Sequence, residues 1–172
     1  MTRQRMTICC IDLERFNFAS RHLPLETVGE FIQGLYERIG DVLLAHGGRL
    51  VKYMGDGGLV AFTAAHEEIA VRAMWTLRET YREYADAAAT DLHATALAAG
   101  IATGEVLAGQ IGHPQMLSFD VLGKPVTVAE ALVRCGGIAV DEATFEAVQG
   151  RISALPITQG TDSRGHRVTG FH

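Results

Sequence analysis

Apolar residues recur at spacings of three and four through Leu25, Val28, Ile32, Leu35, Ile39 and Val42, the repeat of a helix with one buried face. The pattern predicts a long amphipathic helix that ends at Gly47-Gly48, where glycine suits a left-handed cap. A second helix is expected over roughly His66–Tyr84, with Ile69, Ala73, Leu77 and Tyr81 four apart on one face and Trp75 off it, in a packing or subunit-contact role. Between them the pattern turns to strands: Leu50 and Val51, then Leu59, Val60 and Phe62, flank Gly55-Asp56-Gly57-Gly58, which has the chemistry of a tight hairpin turn. Upstream, Thr7–Ile11 is apolar and β-branched enough for a buried strand that ends at Asp12, with Leu13–Asn17 as a loop into a helix.

Downstream of a small, polar loop at Asp86–Thr90, the stretch His93–Gly112 reads as two strands joined near Thr103-Gly104-Glu105. A strand over Met116–Leu122 follows, then a short helix from Pro125 to about Arg134 that Gly136-Gly137 stops. Ile138–Val140, a helix at Glu142–Val148 and a strand pair around Ile157 and Val168 complete the chain. Strands and helices alternate irregularly with several hairpins, so the expected class is α+β, a mainly antiparallel sheet with helices packed on it.

Composition narrows the function. The 172 residues make one domain's worth of chain, so residues 1–172 are expected to form a single unit with a substantial core. Hydrophobic residues at 48% and charged residues at 20% are globular values. No apolar run reaches the ~18 residues of a membrane helix, and a soluble, cytoplasmic protein is expected, without membrane contact. A net charge of −5 with no basic stripe disfavours nucleic acid as a partner. Three cysteines, with Cys9 and Cys10 adjacent in a strand, suit neither a disulfide framework nor a zinc site and read as reduced packing residues facing opposite ways.

Asp56 at a hairpin tip and Asp12 at a strand end are the candidate chemistry. The glycines beside Asp56, Gly55 among them, let a highly charged ligand approach the main chain. Two converging carboxylates are enough for Mg²⁺, which keeps several waters and takes its remaining oxygens from a phosphorylated substrate. An ordinary Asp-Gly turn and a helix cap are the bland alternatives for the same two residues.

Asp12-Leu13-Glu14-Arg15-Phe16, His46-Gly47-Gly48, Val51-Lys52-Tyr53-Met54-Gly55-Asp56, Gly100–Val106 and Phe119-Asp120-Val121-Leu122-Gly123 stand in the order found in class III nucleotide cyclases. The chain resembles their catalytic domain from about residue 6 to its end. The resemblance implies a ferredoxin-like α/β sandwich. It implies attack of a ribose 3′-hydroxyl on the α-phosphate of a nucleoside triphosphate, releasing pyrophosphate. Two Mg²⁺ or Mn²⁺ ions per site would be held by Asp12, Asp56 and the Leu13 carbonyl. Lys52 and Asp120 match the positions that read adenine, a donor for a ring nitrogen and an acceptor for the exocyclic amine, which points to ATP. Arg15, Phe16 and Asn17 occupy the loop that wraps the triphosphate, with Arg15 where the family usually has glycine; surface placement is the alternative for this arginine.

One motif departs from the family. The helix after Asp120 usually carries Asn and Arg four apart, steadying the ribose and the charge on the α-phosphate, and here Thr127 and Ala131 stand in their places. Arg134, two turns after Thr127, is a substitute candidate, as are Arg164 and Arg167 for a phosphate contact. In the family each site forms at a dimer interface, metal acids from one subunit and base-reading and transition-state residues from the other. A homodimer with slow or altered sites is expected, or a heterodimer with a complementary cyclase subunit. The alternative function is a weak or inactive pseudo-cyclase that binds nucleotide or regulates a partner. With no sensor segment in the sequence, regulation is expected through a partner, a metabolite or dimerisation.

Overall fold

The computed structural model describes residues 1–152 and the backbones of two further strands, 157–161 and 167–171. In chain order the elements are β1 (Thr2–Glu14), α1 (Phe16–Ser20), α2 (Leu25–His46), β2 (Arg49–Tyr53), β3 (Gly58–Thr63), α3 (Glu67–Asp86), β4 (Ala96–His113), β5 (Met116–Leu122), α4 (Lys124–Leu132), β6 (Ile138–Val140), α5 (Glu142–Val148), β7 (Ile157–Thr161) and β8 (Arg167–Phe171). They form the expected α+β sandwich. The sheet runs β2-β3-β1-β4-β6-β8-β7, with β5 paired to the far half of β4. Only β4 with β6 is parallel among these pairs.

Alternation along β1 splits the core in two, because successive strand residues face opposite ways. Cys9, Ile11 and Leu13 face the larger cluster, under α2, α3 and α5. Met6, Ile8 and Cys10 face a smaller one, closed by α4 and by Phe119 and Val121 of β5. Burial raises both thiols well above the ordinary range, Cys10 to about 12, and neither is bridged. They are packing residues, as the sequence predicts.

Two expectations fail. β1 does not stop at Ile11: β4 pairs with it from Thr2↔Ala108 to Glu14↔Ala96, so Asp12 sits inside the strand and the loop expected over Leu13–Asn17 shrinks to a turn at Arg15 before α1. Nor is there a turn at Thr103-Gly104-Glu105. β4 is continuous there, Gly104 is not among the positive-φ glycines, and a Cβ on it would come 2.9 Å from Pro125 Cγ. The glycine makes room for the start of α4, and the chain reverses instead between His113 and Met116.

Glycine also seats the other end of α4. A Cβ on Gly100 would collide with the Ala129 carbonyl and the Val133 nitrogen, so the helix lies directly on β4. A short 3-10 turn, Val133–Cys135, follows α4 and carries the exposed Arg134. Among the described residues no helix is long and apolar enough to cross a membrane.

Candidate active site

The site starts where β1 loses one neighbour. Pairing with β3 ends at Ile11↔Gly58, while β4 accompanies β1 to Glu14. The β2–β3 turn fills the gap: Met54 N–H donates to the Gly57 carbonyl (3.0 Å) and Gly57 N–H to the Met54 carbonyl (3.2 Å), leaving Gly55 and Asp56 at the tip. Gly55 takes φ +62°, which suits glycine. Gly57 lies so close to β1 that a Cβ there would collide with the Ile11 carbonyl and stand 3.1 Å from Asp12 Cα. That approach brings the two acids together, a use of Gly57 beyond the turn and the ligand approach expected from the sequence.

Asp12 senses the charge of Asp56. Burial pushes the Asp12 carboxylate above its ordinary range and the Asp56 charge adds to the rise, against the Leu13 N–H and the charge of Arg134, which lower it. Burial likewise raises Asp56, although its own backbone N–H pulls the other way. A partly desolvated acid pair of this kind is a donor set suited to a hard divalent cation. Among the described residues no group of three or more His, Cys, Asp or Glu side chains could hold an ion.

Phe16 is buried and stacks on Phe31 (centroids 6.4 Å apart), so its ring anchors α1 in the core and only its backbone remains for a ligand. Asn17 is exposed on α1, which has no side-chain cap. Arg15 is exposed and takes φ +65°, a left-handed conformation that a side chain disfavours. Thr127 is exposed on α4 and Ala131 half-buried. Arg134 acts on Asp12 and Cys10 of its own subunit. Arg164 lies outside the described residues, and of Arg167 only the backbone, in β8, is described.

Lys52 and Asp120 meet although 68 residues separate them: Lys52 Nζ donates to Asp120 Oδ2 at 2.9 Å and to Oδ1 at 3.2 Å. Burial raises the Asp120 carboxylate, but the Lys52 bond, the Val121 N–H and the Lys52 charge outweigh it and hold the group below its ordinary range. The contact exists because β5 curls over the face of the sheet to reach β2, where the Arg49 guanidinium also covers the Phe119 ring at 3.4 Å from its centroid. Arg49 and Phe119 carry no sequence signal for this role, since only the curl of the β4–β5 arm makes them neighbours.

The chain matches the adenylate and guanylate cyclase catalytic domain over residues 1–158. It belongs to that family. Adenylate cyclase 1 of Rhizobium meliloti is 25% identical over 158 residues, 88% of this chain and 23% of that protein. The crystal structure of the guanylyl cyclase Cya2 superposes with a TM-score of 0.80 at 26% identity, covering 99% of this chain and 91% of that one. A bacterial light-regulated adenylyl cyclase superposes at 0.88 with 18% identity, over 99% of this chain and 52% of that one, a likeness of fold. The chain spans about a fifth of the length of the curated relatives it matches. Both adenylyl and guanylyl cyclases share its fold.

Proposed function

We propose that this cyclase domain converts ATP to 3′,5′-cyclic AMP and pyrophosphate at a site completed across a dimer interface. The observation that carries the reading is the convergence of Asp12 and Asp56 beside β1. Asp12, Asp56 and the Leu13 carbonyl would hold two Mg²⁺ or Mn²⁺ ions, which supply Lewis acidity toward the attacking hydroxyl and the departing phosphates. Lys52 and Asp120 support adenine over guanine: the ammonium can donate to a ring nitrogen and the carboxylate accept from the exocyclic amine, each giving up one bond of their mutual pair. In the reaction the ribose 3′-oxygen bonds to the α-phosphorus, the hydroxyl proton leaves, and the α–β bridging oxygen departs with pyrophosphate. The Arg134 charge lowers the carboxylate of Asp12 in the same chain, so this arginine would balance charge in the metal site of its own subunit. The place opposite the α-phosphate falls to Thr127 and Ala131, neither of which carries a charge.

The test is incubation of the protein with ATP, GTP, CTP and UTP, each with Mg²⁺ or Mn²⁺, and mass-spectrometric detection of cyclic monophosphates. Cyclic AMP above an Asp56→Ala control is the expected result. A different cyclic nucleotide would overturn the reading of Lys52 and Asp120. No product from any nucleotide in a folded dimer would overturn the enzyme reading in favour of a regulatory pseudo-cyclase.

Arg15 gives a second handle, because its strain and its charge act on different quantities. A left-handed non-glycine residue costs ~1–2 kcal/mol, and glycine at the same place returns ~0.5–1 kcal/mol of that through the unfolded chain. Arg15→Gly should therefore stabilise the fold by about 0.5–1 kcal/mol in urea denaturation. If the guanidinium meets a phosphate, the same change raises KM for ATP about tenfold, the loss of a partly exposed charge-assisted bond. An unchanged KM would return Arg15 to the surface.

A further inference from the structure

The turn that presents Asp56 has one peptide without a bond inside it. Met54 and Gly57 close the turn with their own N–H and carbonyl groups, and the Gly55–Asp56 peptide spans the tip. Such a central peptide is the part of a β-turn that rotates, since turn types differ chiefly in its orientation. Here it is held from outside: Tyr36 Oη, on α2, donates to the Gly55 carbonyl at 2.7 Å. The other end of the same planar unit is the Asp56 N–H and Cα, and the Cα bears the carboxylate side chain. The tyrosine hydroxyl and the acid are therefore joined through one rigid peptide.

Tyr36 is itself fixed. Its ring lies face to face with Tyr53, centroids 3.7 Å apart and planes 13° from parallel, and Tyr53 Oη returns a bond of 3.4 Å to the Tyr36 carbonyl. Tyr53 ends β2, one residue before the turn begins. The stack ties α2 to the hairpin at the point where the chain needs a defined peptide plane.

We propose that Tyr36 is a positioning residue for divalent-metal binding, setting the direction of the Asp56 carboxylate through the Gly55–Asp56 peptide, with Tyr53 as its support. The assignment rests on the reading of Asp12 and Asp56 as the metal acids. Loss of an outer partner of this kind weakens metal affinity about 10–100-fold in known sites, and a partner acting through one peptide falls at the low end. Tyr36→Phe keeps the ring and its stack and removes only the donor.

The experiment is an Mn²⁺ titration, metal alone, read as the rise in melting temperature of wild type, Tyr36→Phe and Asp56→Asn. The expected result is an Mn²⁺ midpoint about tenfold higher in Tyr36→Phe, and no metal-dependent rise in Asp56→Asn. A Tyr36→Phe protein that melts lower without metal but keeps the wild-type midpoint would show a merely structural tyrosine and overturn the proposal, leaving the metal site in place. An Asp56→Asn protein that keeps the wild-type midpoint would overturn the metal site, and the role of Tyr36 with it.

Discussion

Asp56→Asn lowers metal-dependent turnover by about 10³-fold or more and leaves the metal-free protein more stable than wild type at neutral pH. On the proposed function, the loss follows from removing a charge that would hold the ions which stabilise the developing negative charge, where even one neutral donor is worth ~10²–10³ in rate. The gain follows from the electrostatics of the empty pair. Burial, and for Asp12 the Asp56 charge as well, hold both carboxylates above the ordinary value of 3.8. The folded state then binds protons more tightly than the unfolded chain, so stability is lost as pH rises from that value through the raised ones. Melting temperatures across this range should fall with pH in the metal-free wild type, fall less in Asp56→Asn, and recover in wild type when Mn²⁺ is added. A variant less stable than wild type at neutral pH, with an unchanged pH slope, would show that the two acids do not oppose each other.

Thr127→Asn with Ala131→Arg raises kcat by about 10²-fold, the reverse of deleting a group that stabilises transition-state charge. The two positions lie one turn apart on α4, so their side chains share a face. Thr127 is exposed and Ala131 half-buried, while Pro125, Ala129 and Leu132 hold the buried face, so the longer side chains need not enter the core. Contact with Gly100 fixes the seat of the helix, which keeps the new groups aimed as the helix now aims. The measurement is initial rate at saturating ATP and Mn²⁺, with Asp56→Asn added as a dead control. An unchanged kcat in a folded double variant would mean that this face of α4 does not meet the partner's substrate, or that another step limits turnover.

Some of this architecture is legible residue by residue. Strand β5, strand β6 and helix α5 begin and end where the apolar pattern and the glycine stops place them. α2 and α3 agree to within a few residues at their ends. Helix caps and periodicity are local properties, which is why they can be read from neighbours in sequence. The errors have a shared cause. Gly104 looks like a turn glycine, yet its use is to admit Pro125, 21 positions on; the Phe16 ring, which the sequence leaves without a partner, is claimed by Phe31. A glycine or an aromatic has one composition and several uses, and the neighbour that selects among them is distant in the chain.

By itself the sequence determined the two acids, the lysine and aspartate proposed to read the base, and the departure at Thr127 and Ala131, because each depends on residue identity at a spacing. Only the tertiary structure decided how these parts are held. It placed Gly57 against β1 so that Asp56 reaches Asp12, curled β5 until Asp120 met Lys52, set the Arg134 charge where it acts on Asp12, and hung the Asp56 peptide from Tyr36. Those contacts join segments far apart in the chain. Close approach, sheet curl and the direction of a hydrogen bond are properties of packed surfaces, and a linear pattern carries no record of which surfaces meet.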